Sequence, residues 1–312
     1  MTTPTTTRRA FCQGALAGAV GMASTALGDA DRPNATFRLR YILASAMYGD
    51  MPLSAILPEV HKTGADAIDL WPRVHGTQRE EVDTLGVEQF RKMLEAHEVR
   101  LGGIACYRLG PLGLRKEMRF ASSLGENVVL VCGARGPRGL EGGELKRAVR
   151  AFVDQLKPHV AEAEERGCTI AVENHANSLI ESPDSIRWFA EMVSSPALGI
   201  AFAPHHLSQE SELIANLVRE SGPAVKFFYA QQHGMGSKKK LPKERELLQM
   251  PGRGPLDFKP ILEALRAIDY GGYTEIFMHP VPRGVPILES ASAITAEINR
   301  SRDYLDACLR KS

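Results

Sequence analysis

Thr169-Ile170-Ala171-Val172-Glu173-Asn174-His175 is a short apolar run that stops abruptly in an acid, an amide and an imidazole. A helix-like segment rich in Lys, Arg and Glu precedes it, and Ser182-Pro183-Asp184 has the composition of a helix start after it. Apolar runs of this length between helical segments read as parallel strands buried on both faces. Glu173 and His175 share strand parity, so both side chains can face the same side.

Outward from this stretch the pattern repeats. Apolar strands are expected at 39–46, 67–71, 100–107, 127–132, 198–203, 225–230 and 273–278. Helices are expected at 53–63, 86–97, 113–124, 144–166 (interrupted only by Pro158), 183–193, 210–220, 258–268 and 288–308. A long polar excursion, 234–254, carries Lys238-Lys239-Lys240. Eight strands alternating with helices imply parallel pairing through right-handed crossovers. The count and length favour a single closed, eight-stranded parallel (β/α)8 barrel over an open sheet. No glycine-rich fingerprint follows the first strand, which counts against a dinucleotide-binding sheet. In such a barrel the polar strand tips face the active-site mouth.

The 312 residues are 44% hydrophobic and 24% charged, enough for one large core. A formal net charge of +1 suggests neither a nucleic-acid partner nor an anionic membrane. The five cysteines have no metal-ligand spacing and no CxxC, which argues against a disulfide framework. At the N-terminus, Thr7-Arg8-Arg9-Ala10-Phe11 precedes small apolar residues from Gly14 to Leu27. This resembles a twin-arginine export signal, with a disordered basic tail as the alternative. Residues 1–30 are therefore set apart from a barrel at 38–312, and a periplasmic or otherwise exported location is expected. The apolar stretch is too short and too rich in Gly and Ala for a membrane span, and Cys12 precedes it, so no membrane anchor is expected.

The strand tips hold the candidate chemistry. Strand five offers Glu173, Asn174 and His175; strand six His205 and His206; strand seven Gln231, Gln232 and His233; strand eight Glu275 and His279. Carboxylates and imidazoles converging from several strands can hold a divalent cation, and Glu173, His206, Glu275 and His279 are the candidate ligands. Such a cation polarises a carbonyl, while two carboxylates, Glu173 and Glu275, are candidates to move the proton beside it. Trp71 can stack on a sugar face, and Arg283, with His175 and His206, can contact substrate.

At these tips the chain resembles the xylose-isomerase-like barrels, often called sugar phosphate isomerases/epimerases, over about residues 39 to 309. The residues carrying the resemblance are Ala67-Ile68-Asp69-Leu70-Trp71, Val172-Glu173-Asn174-His175, Ala203-Pro204-His205-His206, Gly252-Arg253-Gly254-Pro255-Leu256-Asp257-Phe258 and Tyr270-Gly271-Gly272-Tyr273. The resemblance implies one divalent metal (Mn, Mg, Zn or Co) held by a Glu, an Asp, a His and a Glu from strands five to eight, the two Glu doubling as acid/base groups. Glu173 matches the first. The Asp position falls on Ala203, the His position near Tyr229 and the second Glu position on Phe277. His206 matches a family His that contacts substrate. Glu275 is two residues before Phe277, on the same face but about 6–7 Å further down the strand.

Three readings follow: a rebuilt metal site, metal-free acid/base chemistry, or a barrel that binds without catalysis. The leading function is a sugar isomerase or epimerase acting by proton abstraction next to a carbonyl, with a small-molecule carbohydrate as partner. The alternatives are a lyase or hydrolase of oxidised glycosides, a non-catalytic exported carbohydrate-binding barrel, and a DNA-repair endonuclease of the same fold. Ala203 and the near-neutral charge speak against the last. The oligomeric state is open. Deleting residues 1–28 should leave a soluble protein with an unchanged far-UV circular dichroism spectrum; loss of soluble protein would count against an export signal.

Overall fold

The computed structural model describes residues 37–233 and 238–310. The twin-arginine segment lies outside them. Eight parallel strands close into one barrel in sequence order, each hydrogen-bonded to the next and the last to the first. They are β1 (Arg40–Ala44), β2 (Ala67–Leu70), β3 (Arg100–Ala105), β4 (Val128–Gly133), β5 (Cys168–Glu173), β6 (Leu198–Phe202), β7 (Val225–Ala230) and β8 (Tyr273–Ile276). The fold class expected from the strand count is the one observed. The closing ladder sets Arg40 opposite Tyr273, Tyr41 opposite Thr274 and Ile42 opposite Glu275.

The helices are α1 (Leu53–Ile56), α2 (Gln78–Leu85), α3 (Val87–Ala96), α4 (Arg115–Ser122), α5 (Gly142–Glu165), α6 (Pro183–Met192), α7 (Ser211–Ser221), α8 (Lys243–Glu246), α9 (Lys259–Ala267) and α10 (Ala291–Arg310). Three differ from the sequence reading; one of them, α8, is a single turn inside the polar excursion at 234–254. The expected helix at 53–63 is one α-turn followed by two 3-10 turns, with Pro58 inside the first of them and Gly64 closing the second in a left-handed conformation. α2 has no counterpart in the sequence reading, because Gln78-Arg79-Glu80-Glu81 supplies no apolar period; only Val82 is a buried apolar residue there. α5 runs straight through Pro158, which faces solvent. α6 starts with a reciprocal cap, Ser182 Oγ accepting from the Ser185 N–H while Ser185 Oγ accepts from the Ser182 N–H.

The strands are buried on both faces, as the absence of polar alternation requires. Side chains fill the barrel interior unevenly. β7 and β8 contribute Phe227, Tyr229 and Tyr273, and opposite them β3 carries Gly102, where a Cβ would lie 3.0 Å from the Tyr273 ring. No helix among the described residues is long and apolar enough to cross a membrane.

α2 is held to α4 by a buried ion pair. The Arg79 guanidinium donates to both Glu117 carboxylate oxygens at 2.8 and 3.2 Å and to Asp83 at 2.9 Å, and it lies 4.1 Å above the Phe120 ring. Arg79→Met leaves Glu117 charged, buried and unpaired, which should cost about 3–5 kcal/mol in urea unfolding. Arg79→Met combined with Glu117→Leu should recover most of that loss.

Candidate active site

The site is built from the inward parity of β5. Glu173 is its last residue, 3% exposed. The next residue, Asn174, is fully buried and clamps the backbone of Ala203: its Nδ2 donates to the Ala203 carbonyl at 3.0 Å, and its Oδ1 accepts from the Ala203 N–H at 2.7 Å. The clamp fixes where β6 ends and where the 3-10 turn Pro204–His206 begins. That turn brings His205 Nε2 to 3.9 Å and His206 Nε2 to 3.7 Å from Glu173 Oε1. The His175 ring lies 3.9 Å from that of His206, at the solvent edge of the site.

These groups surround a cavity of about 520 Å³ at the strand-tip end of the barrel. Its floor is aromatic. Trp71 stacks on Phe277 at 4.7 Å and meets Tyr107 at 5.5 Å; the Tyr107 and Tyr229 hydroxyls share a 2.8 Å hydrogen bond. His75 and His279, with rings 5.0 Å apart, form a further wall, and Arg138 and Arg283 complete the lining. Arg283 also donates to the Pro280 carbonyl at 3.2 Å.

Burial governs the electrostatics. Glu173 is pushed up to about 8 by desolvation, which the Tyr107 hydroxyl partly offsets. His206 is pushed down to about 3 and His75 to about 4, in both cases chiefly by burial and then by neighbouring positive charges. His205 and His279 lie well below the ordinary imidazole value for the same reasons. Burial also lowers His175, against the hydrogen bond to Ala176 that raises it. At neutral pH these imidazoles are uncharged.

Beneath the floor lies a second group. Asp69 and Glu275 are fully buried inside the barrel, close to Trp71. Gly103 makes room for the first: a Cβ there would lie 2.6 Å from Asp69 Oδ1. Burial raises Asp69 to about 7, and burial together with the Asp69 charge raises Glu275 well above the ordinary carboxylate range. Two carboxyls this close and this dry do not both ionise, so the pair keeps at least one proton at neutral pH.

Of the residues singled out from sequence, Glu173, His175 and His206 come together: one ligand atom from each lies within 4.8 Å of the others. His279, Trp71 and Arg283 line the same cavity. Glu275 does not line it; it sits in the layer below Phe277. Of the three family ligand positions, Tyr229 and Phe277 form the floor, and Ala203 is the residue Asn174 holds. His75 and Tyr107 were not singled out as site residues, although both lie at strand-two and strand-three tips. Asp69 was read only as part of a strand.

The donor set fits a divalent cation. Glu173 Oε2 and His206 Nε2 are buried without any hydrogen-bond partner. His175 Nδ1 is 2.6 Å from the Ala176 carbonyl, so as a donor there it leaves Nε2 as a lone-pair ligand. Two neutral imidazoles and a carboxylate are a catalytic zinc set, and they also suit neighbouring divalent metals.

The closed eight-stranded barrel thus sets a carboxyl and two imidazoles that could hold a metal ion on the tips of β5 and β6, at the end of the barrel where strand tips face the mouth. The chain belongs to the xylose isomerase-like TIM barrel family, whose family model matches residues 57–302. Among solved structures it is similar to protein SMc04130 from Sinorhizobium meliloti 1021, with 19% identity, 86% of this chain and 98% of that one covered, and a TM-score of 0.64. It is also similar to a D-tagatose 3-epimerase-like protein (18% identity, 88% and 99% covered, TM-score 0.61) and to the IOLI protein with a binding zinc atom (16%, 88% and 99%, 0.67). At these identities the likeness is one of fold. No curated protein matches the sequence significantly.

The raised Glu173 value has a consequence for stability. A folded-state value of about 8 against 4.5 unfolded means that the protonated carboxyl is the better tolerated form. Its contribution is fully present below the unfolded value and is lost as pH rises through about 8. In chelator-treated protein, Glu173→Gln should therefore melt higher than the parent at about pH 9, by the equivalent of roughly 1–3 kcal/mol, and equally at about pH 4. A constant difference across that range would count against the buried, partnerless carboxyl.

Proposed function

We propose that this protein is a sugar isomerase- or epimerase-like enzyme that removes a proton from the carbon next to a carbonyl of a sugar or sugar derivative, with Glu173 as the base. One observation carries the reading: a buried carboxyl, Oε2 without a partner, in the wall of a cavity of about 520 Å³. With no cation bound, desolvation raises it to about 8, and a desolvated carboxylate is a stronger base than an ordinary one. The apolar ring surfaces of Trp71 and Phe277 suit the C–H face of a sugar, and the imidazoles and Arg283 suit its oxygens. Glu173, His175 and His206 would hold a divalent cation (Mn, Mg, Zn or Co), which when bound supplies Lewis-acid polarisation of the substrate carbonyl. The neighbour with zinc and the neighbour named as epimerase-like support the same class. The Arg8-Arg9 leader supports export of the folded barrel to the periplasm or beyond.

A second reading, a lyase or hydrolase of oxidised glycosides, is favoured by one feature. Among the described residues Glu173 is the one carboxylate lining this cavity. A two-carboxylate shuttle needs an acid on the opposite wall, where Tyr229 and Phe277 stand instead. A carboxylate beside several imidazoles suits proton removal followed by departure of an alcohol.

The test is exchange of substrate C–H for deuterium in D2O, read by NMR over a panel of ketoses and oxidised glycosides. Glu173→Gln should slow exchange by about 10²–10⁴-fold while keeping the far-UV spectrum. Exchange at the parent rate in that variant would overturn the assignment. Elemental analysis should find about one divalent ion per chain, lost in His206→Ala.

A further inference from the structure

The cavity over Glu173 does not end at the imidazoles. A second cavity of about 650 Å³ begins on their far side. The two share His175, His205, His206, His279 and Arg283 in their linings. The imidazoles therefore stand at a seam, with room for substrate on both sides, while Glu173 lines the first cavity. The chambers differ in chemistry. The first is floored by Trp71, Tyr107, Tyr229 and Phe277; the second is lined by Gln209, Gln231, Gln232 and Ser208.

One group in the second chamber is set up to receive a hydrogen bond. Gln249 Nε2 donates to the carbonyls of Glu246 and His279, at 3.2 and 2.9 Å. Its Oε1 therefore accepts, from the His279 N–H at 3.1 Å and from Gln231 Nε2 at 3.0 Å. That fixes which way the Gln231 amide points and leaves Gln231 Oε1 without a partner, in a residue only 1% exposed. An acceptor buried without a donor costs free energy, and a ligand hydroxyl placed there removes the cost.

We infer that the natural ligand is a two-unit carbohydrate, a disaccharide or comparable glycoside, with one ring on the aromatic floor and the second unit in the amide-lined chamber, donating a hydroxyl to Gln231 Oε1. The inference rests on the carbohydrate reading of the site. Size supports it: a pocket of roughly 300–1,000 Å³ already takes a drug-sized ligand, so a single sugar ring is accommodated by the first chamber and leaves the second unfilled. Chemistry supports it too: the stacking surface belongs to the first chamber, while in the second the Gln209 and Gln232 amides are taken up by protein groups and Gln231 Oε1 is the acceptor without a partner.

The experiment is isothermal titration calorimetry of the full-length protein with glucose, maltose, cellobiose and trehalose, and with an oxidised, carbonyl-bearing derivative of each. At least one two-unit sugar should bind ten-fold or more tighter than the matching monosaccharide. Gln231→Leu should abolish that gain and leave monosaccharide affinity unchanged. Ser208→Trp, an exposed position on the second chamber's lining, should do the same by filling space, and it guards against a folding defect from the buried substitution. Equal affinity for one- and two-unit sugars would overturn the inference and leave the carbohydrate reading standing. So would equal losses for both sugar sizes in Ser208→Trp. Failure of every sugar to bind would sink both.

Discussion

Closure of the parallel ladder between β1 and β8 is the constraint on which the rest of this molecule depends. Once Ile42 is set opposite Glu275, the two-residue period of a strand leaves no freedom in which side chains point inward. The same register that turns Tyr229 inward on β7 turns its partner Glu275 inward on β8. Glu173 faces the interior for the same reason, and Asn174, one residue on, is released to hold Ala203. The clamp then delivers two imidazoles to the carboxyl. The geometry of the site is a consequence of strand parity plus one amide.

Three carboxyls, Asp69, Glu173 and Glu275, are buried inside one barrel. Among the described residues none of them has an ion pair to Lys or Arg; the uncharged imidazoles of His205 and His206 stand beside Glu173. Burying a carboxylate without compensation is costly, so each must keep a proton or meet a cation. The lower pair, Asp69 and Glu275, meets this demand by retaining a proton between them. Glu173 stands where the alternative exists. It borders a solvent-connected cavity and has imidazole nitrogens at hand, so it can exchange its proton for a metal ion or with a substrate carbon. Access to the cavity thus separates a structural pair from a chemically available group in the same barrel.

The strands were legible because doubly buried parallel strands are written as unbroken apolar runs, and all eight lie within two residues of the stretches read from sequence. Glu173, His175 and His206 were legible because a polar residue directly after such a run stands at a tip. The rest of the site was not. His75 lies beyond Pro72, where the strand reading ended, and Tyr107 reads as a strand residue until its hydroxyl is seen against Tyr229. Asp69 pairs with Glu275 across an intervening strand, β1, and no local pattern encodes a partner two strands away. α2 escaped for the opposite reason: polar side chains tie it down, Arg79 to Glu117 on α4 and Gln78 to the Gly49 and Met51 carbonyls, and polar residues read as surface.

The departures from the family's ligand pattern form one change. Where the resemblance places a carboxylate, an imidazole and a second carboxylate at the tips of strands six, seven and eight, this chain carries Ala203, Tyr229 and Phe277. Among the described residues, the group that could hold a metal ion lies at the adjoining tips of β5 and β6, where His175 and His206 join Glu173. The vacated side is not empty: it carries the Trp71–Phe277 stack and the Tyr107–Tyr229 hydroxyl pair. Charged ligands spread around the whole mouth would grip a small polyol from all sides. Gathering them in one corner frees a flat apolar floor for a ring and opens the imidazole wall toward the second chamber. The aromatic floor and the second chamber lie on either side of the imidazoles, and the proposed two-unit substrate uses both.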